Sequence, residues 1–236
     1  MDVFGKALMD FHNGDYTEDI KTHSSLGDED IIPLPYLFRS LEEMPKIEQY
    51  ALKLTKGKVL DIGCGSGSHS LHLQDSGLDV TGLDKSKGAI EVSKQRGLQS
   101  VVNSSILDFS GIQFDTLLLI MNGIGLCGTL DNLSDFLAHL KSLLLPDGQI
   151  LLDSSDIIYM YEQDEDGGIW VPGEISYYGE VSYTMEYKKQ KSHPFDWLYL
   201  DFHTLKEHCT IQNMNCELVM HGPHYDYLAK LSHKKE

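Results

Sequence analysis

The residues best suited to chemistry in this sequence are three glycines on alternate positions, Gly63, Gly65 and Gly67, preceded by Asp61 and followed by Ser68. Glycines so spaced let a chain turn tightly and let its backbone approach a ligand closely, with the amides of the turn expected to face that ligand. A dinucleotide-binding turn carries its third glycine at the sixth position of G-x-G-x-x-G, where this chain has Ser68. That departure, and an acid two residues ahead of the first glycine, argue against a nicotinamide cofactor. The four cysteines, Cys64, Cys127, Cys209 and Cys216, form no CxxC pair and read as reduced, buried thiols. His203, His208, Cys209 and Cys216 match no zinc spacing, so no metal site is expected.

A turn of this kind has to sit between a strand and a helix. Short β-rich runs at 58–62, 79–84, 100–103, 114–121 and 149–153 alternate with helical patterns at 68–76, 86–96 and 131–145. That order is the mark of parallel strands joined by crossover helices. The helices end at Gly77, at Gly97 and before Pro146. In the third, Leu133, Phe136, Leu137, Leu140 and Leu144 make one apolar stripe to lay on a sheet. A further helix is expected over 204–214 and closing strands at 217–221 and 225–231.

The chain's other parts follow a different pattern. Residues 157–200 are rich in aromatics, among them Tyr159, Trp170, Tyr178, Phe195 and Trp197, and Val181, Tyr183, Met185 and Tyr187 alternate with polar residues as in a β-hairpin. This insertion reads as a lid, a homodimer surface, or a hairpin packed on its own sheet. Residues 1–55, with Pro33, Pro35 and Pro45 and the acidic run at 27–30, read as helices and a loop forming a cap. The whole is expected to be one structural domain, with cap 1–55 and core 56–236.

Composition narrows the partners. A chain of 236 residues with 41% hydrophobic content can bury a large core. Its net charge of −17 repels nucleic-acid phosphates and anionic membranes, which leaves small molecules or basic partners. There is no apolar run of membrane-spanning length and no secretory apolar region after Met1, so a cytoplasmic address is expected.

The run Val59-Leu60-Asp61-Ile62-Gly63-Cys64-Gly65-Ser66-Gly67 resembles the first motif of class I S-adenosylmethionine-dependent methyltransferases. Asp84 at the end of the second strand, Asp108 after the third, and Met121-Asn122-Gly123-Ile124-Gly125 after the fourth match in order, so the resemblance covers residues 56–156. It implies a Rossmann-like α/β three-layer sandwich with a mostly parallel seven-stranded sheet and an antiparallel C-terminal strand. To this the chain adds the N-terminal helical cap and the hairpin insertion.

The resemblance also implies S-adenosylmethionine as methyl donor and S-adenosylhomocysteine as product. Asp84 would accept two hydrogen bonds from the ribose hydroxyls, a task suited to a carboxylate. Lys85, Leu107 and Asp108 would lie by the adenine. Gly63, Cys64, Gly65 and Gly67 would border the methionine part, Asp61 would orient the loop or meet the amino group, and Met121 and Asn122 would point toward the sulfonium. Arg39 would take the methionine carboxylate. Each has a plainer alternative: Asp84 as the cap of the next helix, Asp108 as a loop acid, Arg39 in an ion pair. His69, directly after the turn, either lines the cofactor or caps the helix.

Methyl transfer from a sulfonium is an in-line displacement in which positioning supplies much of the acceleration. No catalytic residue is assigned; His23, Asp153, Asp156 and Tyr159 are the groups available as a general base. Enzymes methylating amino groups of adenine or glutamine place Asn or Asp before Pro-Pro and an aromatic after the fourth strand, and Met121-Asn122-Gly123-Ile124 lacks those prolines. The expected function is methyl transfer to a small-molecule acceptor. The alternatives are a catalytically silent partner subunit that binds the cofactor, or a methyltransferase acting on protein or RNA.

Overall fold

The structure, a computed structural model, describes residues 2–161, 164, 168 and 176–234. The chain opens with helix α1 (Val3–His12), a hairpin of β1 (Ile20–Ser24) and β2 (Glu29–Ile32), then helices α2 (Leu34–Leu37) and α3 (Lys46–Leu54). Strands and helices next alternate as β3 (Lys58–Ile62), α4 (Ser68–Asp75), β4 (Asp79–Asp84), α5 (Lys87–Gln95) and β5 (Ser100–Asn103), then β6 (Phe114–Leu119), α6 (Leu133–Ser142) and β7 (Leu144–Ser155). Strands β8 (Glu180–Tyr187), β9 (Gln190–Lys191) and β10 (Phe195–Leu198) follow. Helix α7 (Phe202–Ile211), β11 (Met214–His221) and β12 (Asp226–His233) complete the order. No helix among the described residues is long and apolar enough to cross a membrane.

Seven strands form the main sheet in the order β11-β12-β7-β6-β3-β4-β5. Strands β3 to β7 run parallel, and β12 lies antiparallel between β7 and β11. This is the Rossmann-like sandwich expected. Successive residues of a strand leave on opposite faces, and the core divides accordingly. Leu60, Leu117, Leu119, Ile150 and Leu152 meet Leu133, Phe136 and Leu140 of α6 and Leu205 of α7 on one face. Val59, Leu118 and Leu151 meet Ile47, Ala51 and Leu52 of α3 and Leu73 of α4 on the other. Each fully buried leucine contributes about 2 kcal/mol, so both faces hold the sheet, and with it the carboxyl ends of β3, β4 and β6, in place.

Two of the parallel strands differ in extent from expectation. The fourth parallel strand stops at Leu119 because Met121 and Asn122 take left-handed backbone, with φ of +69° and +56°. The fifth begins at Leu144, and Pro146-Asp147-Gly148 forms an irregularity within it as the pairing jumps from Phe114–Leu144 to Thr116–Gln149.

A second, antiparallel sheet runs β10-β8-β1-β2, with β9 on β8. Residues before the first parallel strand are therefore not only helices and loop: 20–24 and 29–32 are strands. Strand β2 is mostly exposed and shows no inward alternation, so its pairing has no mark in its own sequence. What fixes the hairpin is distant, since β1 pairs β8 from Lys21–Glu186 to Ser24–Tyr183. Helix α1 ties this sheet to the core: Val3, Ala7 and Leu8 pack with Ala89 and Val92 of α5 and with Ile20 and Tyr187. Trp170 and most of residues 162–175 of the insertion 157–200 lie outside the described residues; its described strands belong to the second sheet.

Candidate active site

Strand β3 ends in the glycine turn, where Gly63, Gly65 and Gly67 have φ of +76°, +54° and +86°. Only glycine adopts these without strain, and the result is a turn whose surface carries almost no side chain. Four of its amides are engaged within the protein. Gly63 and Cys64 donate to the Leu83 carbonyl at 2.8 and 3.1 Å, and Gly67 to Cys64 at 2.8 Å. Gly65 donates to Asp84 Oδ2 at 3.0 Å. The neighbouring strand end takes three of these donors and the turn itself the fourth, so what the turn offers is close approach.

Asp84 closes β4 and joins two elements. Its Oδ1 accepts from the Ser86 amide at 2.8 Å while Oδ2 holds the turn. It is not the helix cap; Ser86 is, accepting from the Ala89 amide at 3.0 Å. Burial raises the Asp84 carboxyl above the ordinary range, and the Ser86 and Gly65 amides oppose that rise. Next to it, Asp2 caps α1 through Gly5 at 2.8 Å and accepts from the Ser86 hydroxyl at 2.9 Å and the Gly88 amide at 3.0 Å. Phe4 is thereby laid over Gly65, close enough that a Cβ there would stand 3.7 Å from its ring.

Beyond the turn lies a buried charged cluster. Arg39 donates to Glu48 Oε2 and to the Tyr36 carbonyl, and its guanidinium stacks 3.9 Å from the Tyr36 ring centroid. Its Nε is buried and has no partner among the described residues. His69 Nε2 lies 2.8 Å from the same Glu48 oxygen. Burial pushes Glu48 up, but His69 and the Arg39 guanidinium outweigh it and hold the carboxyl below the ordinary range. The segment bearing Tyr36 and Arg39 is pinned to the turn, since the Ser66 and Ser68 hydroxyls both donate to the Leu37 carbonyl.

Asp153 grips the left-handed turn after β6, accepting from Met121 at 3.2 Å and Gly123 at 3.3 Å. Burial raises its carboxyl to about 7, with Glu48 adding to the rise and the amides of 121–123 opposing it. The folded group thus binds its proton more tightly than the unfolded one. Its stabilisation is fully present below the ordinary carboxylate value of 3.8 and is lost progressively as pH rises from there to about 7. Asp153→Asn, which keeps an uncharged acceptor, is expected to flatten the fall in urea midpoint across roughly pH 4 to 7; an unchanged slope would assign it elsewhere.

These elements enclose one side of a cavity of about 870 Å³, in the range of small-molecule sites. Eight of the expected residues line it: Arg39, Gly63, Cys64, Gly65, Asp84, Lys85, Leu107 and Met121. Four do not. Asp61 lies buried beneath, accepting from Ser70 Oγ at 2.5 Å; Gly67 starts α4; Asp108 is exposed beside Leu107; and Asn122 links Ser154 to the Leu198 carbonyl. His69 lines the cavity through its pair with Glu48.

The opposite wall comes from residues the sequence reading did not single out for the site. Phe4, Ile32, Met185, His193, Phe195 and Trp197 are contributed by α1 and the second sheet with its turns. The Trp197 indole lies on the turn after β6, where a Cβ at Gly125 would come within 2.1 Å of its Nε1. Gly125→Ala must displace that ring, and about 1–3 kcal/mol of destabilisation is expected by urea unfolding. The four expected general bases are elsewhere. His23 pairs with Glu186 at 3.3 Å, Asp156 accepts from the Tyr178 hydroxyl at 2.8 Å, Tyr159 stacks on Tyr225, and Asp153 is behind the cavity wall.

With this geometry in hand, relatives can be compared. The methyltransferase-domain family profile matches residues 36–212. A crystal structure of an S-adenosylmethionine-dependent methyltransferase from Bacteroides fragilis, in complex with S-adenosyl-L-homocysteine, is 41% identical. It superposes with a TM-score of 0.91 over 99% of this chain and 95% of that one. A dTDP-3-amino-3,6-dideoxy-alpha-D-glucopyranose N,N-dimethyltransferase of Streptomyces fradiae is 30% identical over 40% of this chain and 38% of its own. A mitochondrial ubiquinone biosynthesis O-methyltransferase of Schizosaccharomyces pombe is 30% identical over 41% and 37% respectively. The chain spans about two fifths of the length of such curated relatives.

Proposed function

We propose, since this chain belongs to the methyltransferase-domain family, that it transfers a methyl group from S-adenosylmethionine to a small-molecule acceptor. The observation carrying this reading is the cavity at the carboxyl ends of β3, β4 and β6, with Asp84 bridging the glycine turn and α5. The Bacteroides fragilis relative, similar over nearly the full chain, binds S-adenosyl-L-homocysteine, which supports the donor. The two curated relatives act on a sugar and in ubiquinone biosynthesis by their names, which supports a small acceptor.

The residues present fit the donor. Asp84 has lone pairs beyond those given to Gly65 and Ser86, and accepts the ribose hydroxyls with them. Lys85 and Leu107 flank the adenine, with Asp108 next to them a candidate for its amino group. Arg39, with Nε unpartnered in the wall, takes the methionine carboxylate. Gly63, Cys64 and Gly65 border the methionine chain, while Asp61, Gly67 and Asn122 act by shaping the turns. Met121, at the end of β6, faces the reacting centre. When bound, S-adenosylmethionine supplies a methyl group already activated by the sulfonium. What remains for the protein is alignment and exclusion of water. Calorimetry with S-adenosylhomocysteine is expected to give one site per chain; no heat of binding at ligand concentrations up to about 1 mM, the weak end of the affinity scale, would overturn the reading.

A further inference from the structure

The cavity has two chemically different ends. Around the glycine turn its lining is polar: Asp84 holds two amides, Arg39 and His69 share Glu48, and Asp2 holds Ser86 and Gly88, with the Arg39 Nε and the remaining Asp84 lone pairs left for the donor. The end toward the second sheet is apolar and aromatic, with Met185, Phe195 and Trp197. Phe195 and Trp197 stand edge to face with centroids 6.3 Å apart, and the Lys85 ammonium lies 5.8 Å from the Phe195 centroid. His193 lines the same end, in the turn between β9 and β10. Neither of its ring nitrogens has a hydrogen-bond partner among the described residues, whereas the other lining imidazole, His69, is held to Glu48 through Nε2.

We propose that this end binds an aromatic acceptor and that His193 is the catalytic residue that receives the proton of its phenolic hydroxyl. The proposal rests on the methyltransferase reading above and names the acceptor class for it. A flat ring matches a wall of Phe195 and Trp197, where aromatic pairs gain about 0.5–1.5 kcal/mol beyond burial. Imidazole is matched to phenols, which ionise near pH 10, far better than to aliphatic hydroxyls. In the transfer, the phenolic oxygen forms a bond to the methyl carbon, and the carbon–sulfur bond breaks with its electron pair going to sulfur. The hydroxyl proton passes to His193 and leaves to solvent from this exposed position.

The test uses the full chain with catechol as the aromatic probe and glucosamine as the non-aromatic amine. With S-adenosylhomocysteine bound, calorimetry is expected to detect catechol and not glucosamine. Trp197→Ala is expected to weaken catechol about tenfold, a loss of the order of one stacked pair, with S-adenosylhomocysteine affinity unchanged. Trp197→Phe, which keeps a ring, should restore most of it. With radiolabelled donor, His193→Ala is expected to lower kcat for catechol roughly 10²-fold or more, and added imidazole should recover part of the rate. Binding or methylation of glucosamine in preference to catechol overturns the aromatic acceptor; His193→Ala at wild-type rate overturns the proton acceptor; no catechol binding at all overturns both. Failure of S-adenosylhomocysteine itself to bind would instead strike the methyltransferase reading, so the two failures are separable.

Discussion

Asp84→Ala is expected to raise the dissociation constant for S-adenosylhomocysteine about a hundredfold or more. Its two oxygens hold the Gly65 amide at 3.0 Å and the Ser86 amide at 2.8 Å, so the carboxylate fixes the glycine turn against the start of α5. Hydrogen bonds to a charged group contribute about 1.5–3 kcal/mol each. Losing the pair offered to the ribose, together with the order they give the turn, amounts to about 3 kcal/mol, or a factor of about 10². Asp84→Asn retains one acceptor and should fall between. Calorimetry decides the matter, and an alanine variant within about threefold of wild type, under 1 kcal/mol, would remove Asp84 from the donor site.

The second large effect falls on stability. Glu48 is 3% exposed and is shared by Arg39 and His69. Glu48→Ala leaves a buried guanidinium without its anion, and removing one partner of such a pair costs about 3–5 kcal/mol. That is a large part of a domain's stability of about 5–15 kcal/mol, and a urea titration would show it as a shifted midpoint with unchanged slope. The pH dependence has the opposite sign to that of Asp153. The Glu48 carboxyl is held below its ordinary value, so its stabilisation is present above the unfolded pKa and is lost as pH falls through the folded one. In Glu48→Ala that acid loss should be absent. Glu48 was not legible as a site residue, because a glutamate on a helix usually faces water and only the fold brings α3 beside α4.

How much could be read in advance follows the range of the forces. The parallel strands and their crossover helices were legible because each run carries its own apolar pattern and stop signal, as at Gly77 and Gly97 with φ of +89° and +106°. The turn and Asp84 were legible because a glycine at positive φ and an acid at a strand end are local demands. The hairpin of β1 and β2 was not, since β2 is mostly exposed and its partnership is settled by β8. The cavity's aromatic wall and His193 were missed for the same reason. The alternation of Val181 to Tyr187 marked a strand, but nothing local said what that strand would face. His23 and Asp156 were chosen by their chemistry alone, and the fold gives them Glu186 and Tyr178 as partners.

The pairing of β1 with β8 has a consequence for how the protein comes into being. Thr22 and Met185 are aligned neighbours, though most of the Rossmann-like sheet is encoded between them. During synthesis, which delivers the N-terminal half first, the glycine turn and β4 can be in place while β1 still has no partner. The wall of Met185, Phe195 and Trp197 arrives with the last third of the chain. A nascent protein can therefore own its glycine turn well before it owns the opposite wall of the cavity, and the contacts of high sequence separation, slow to close, are the ones that complete the vessel.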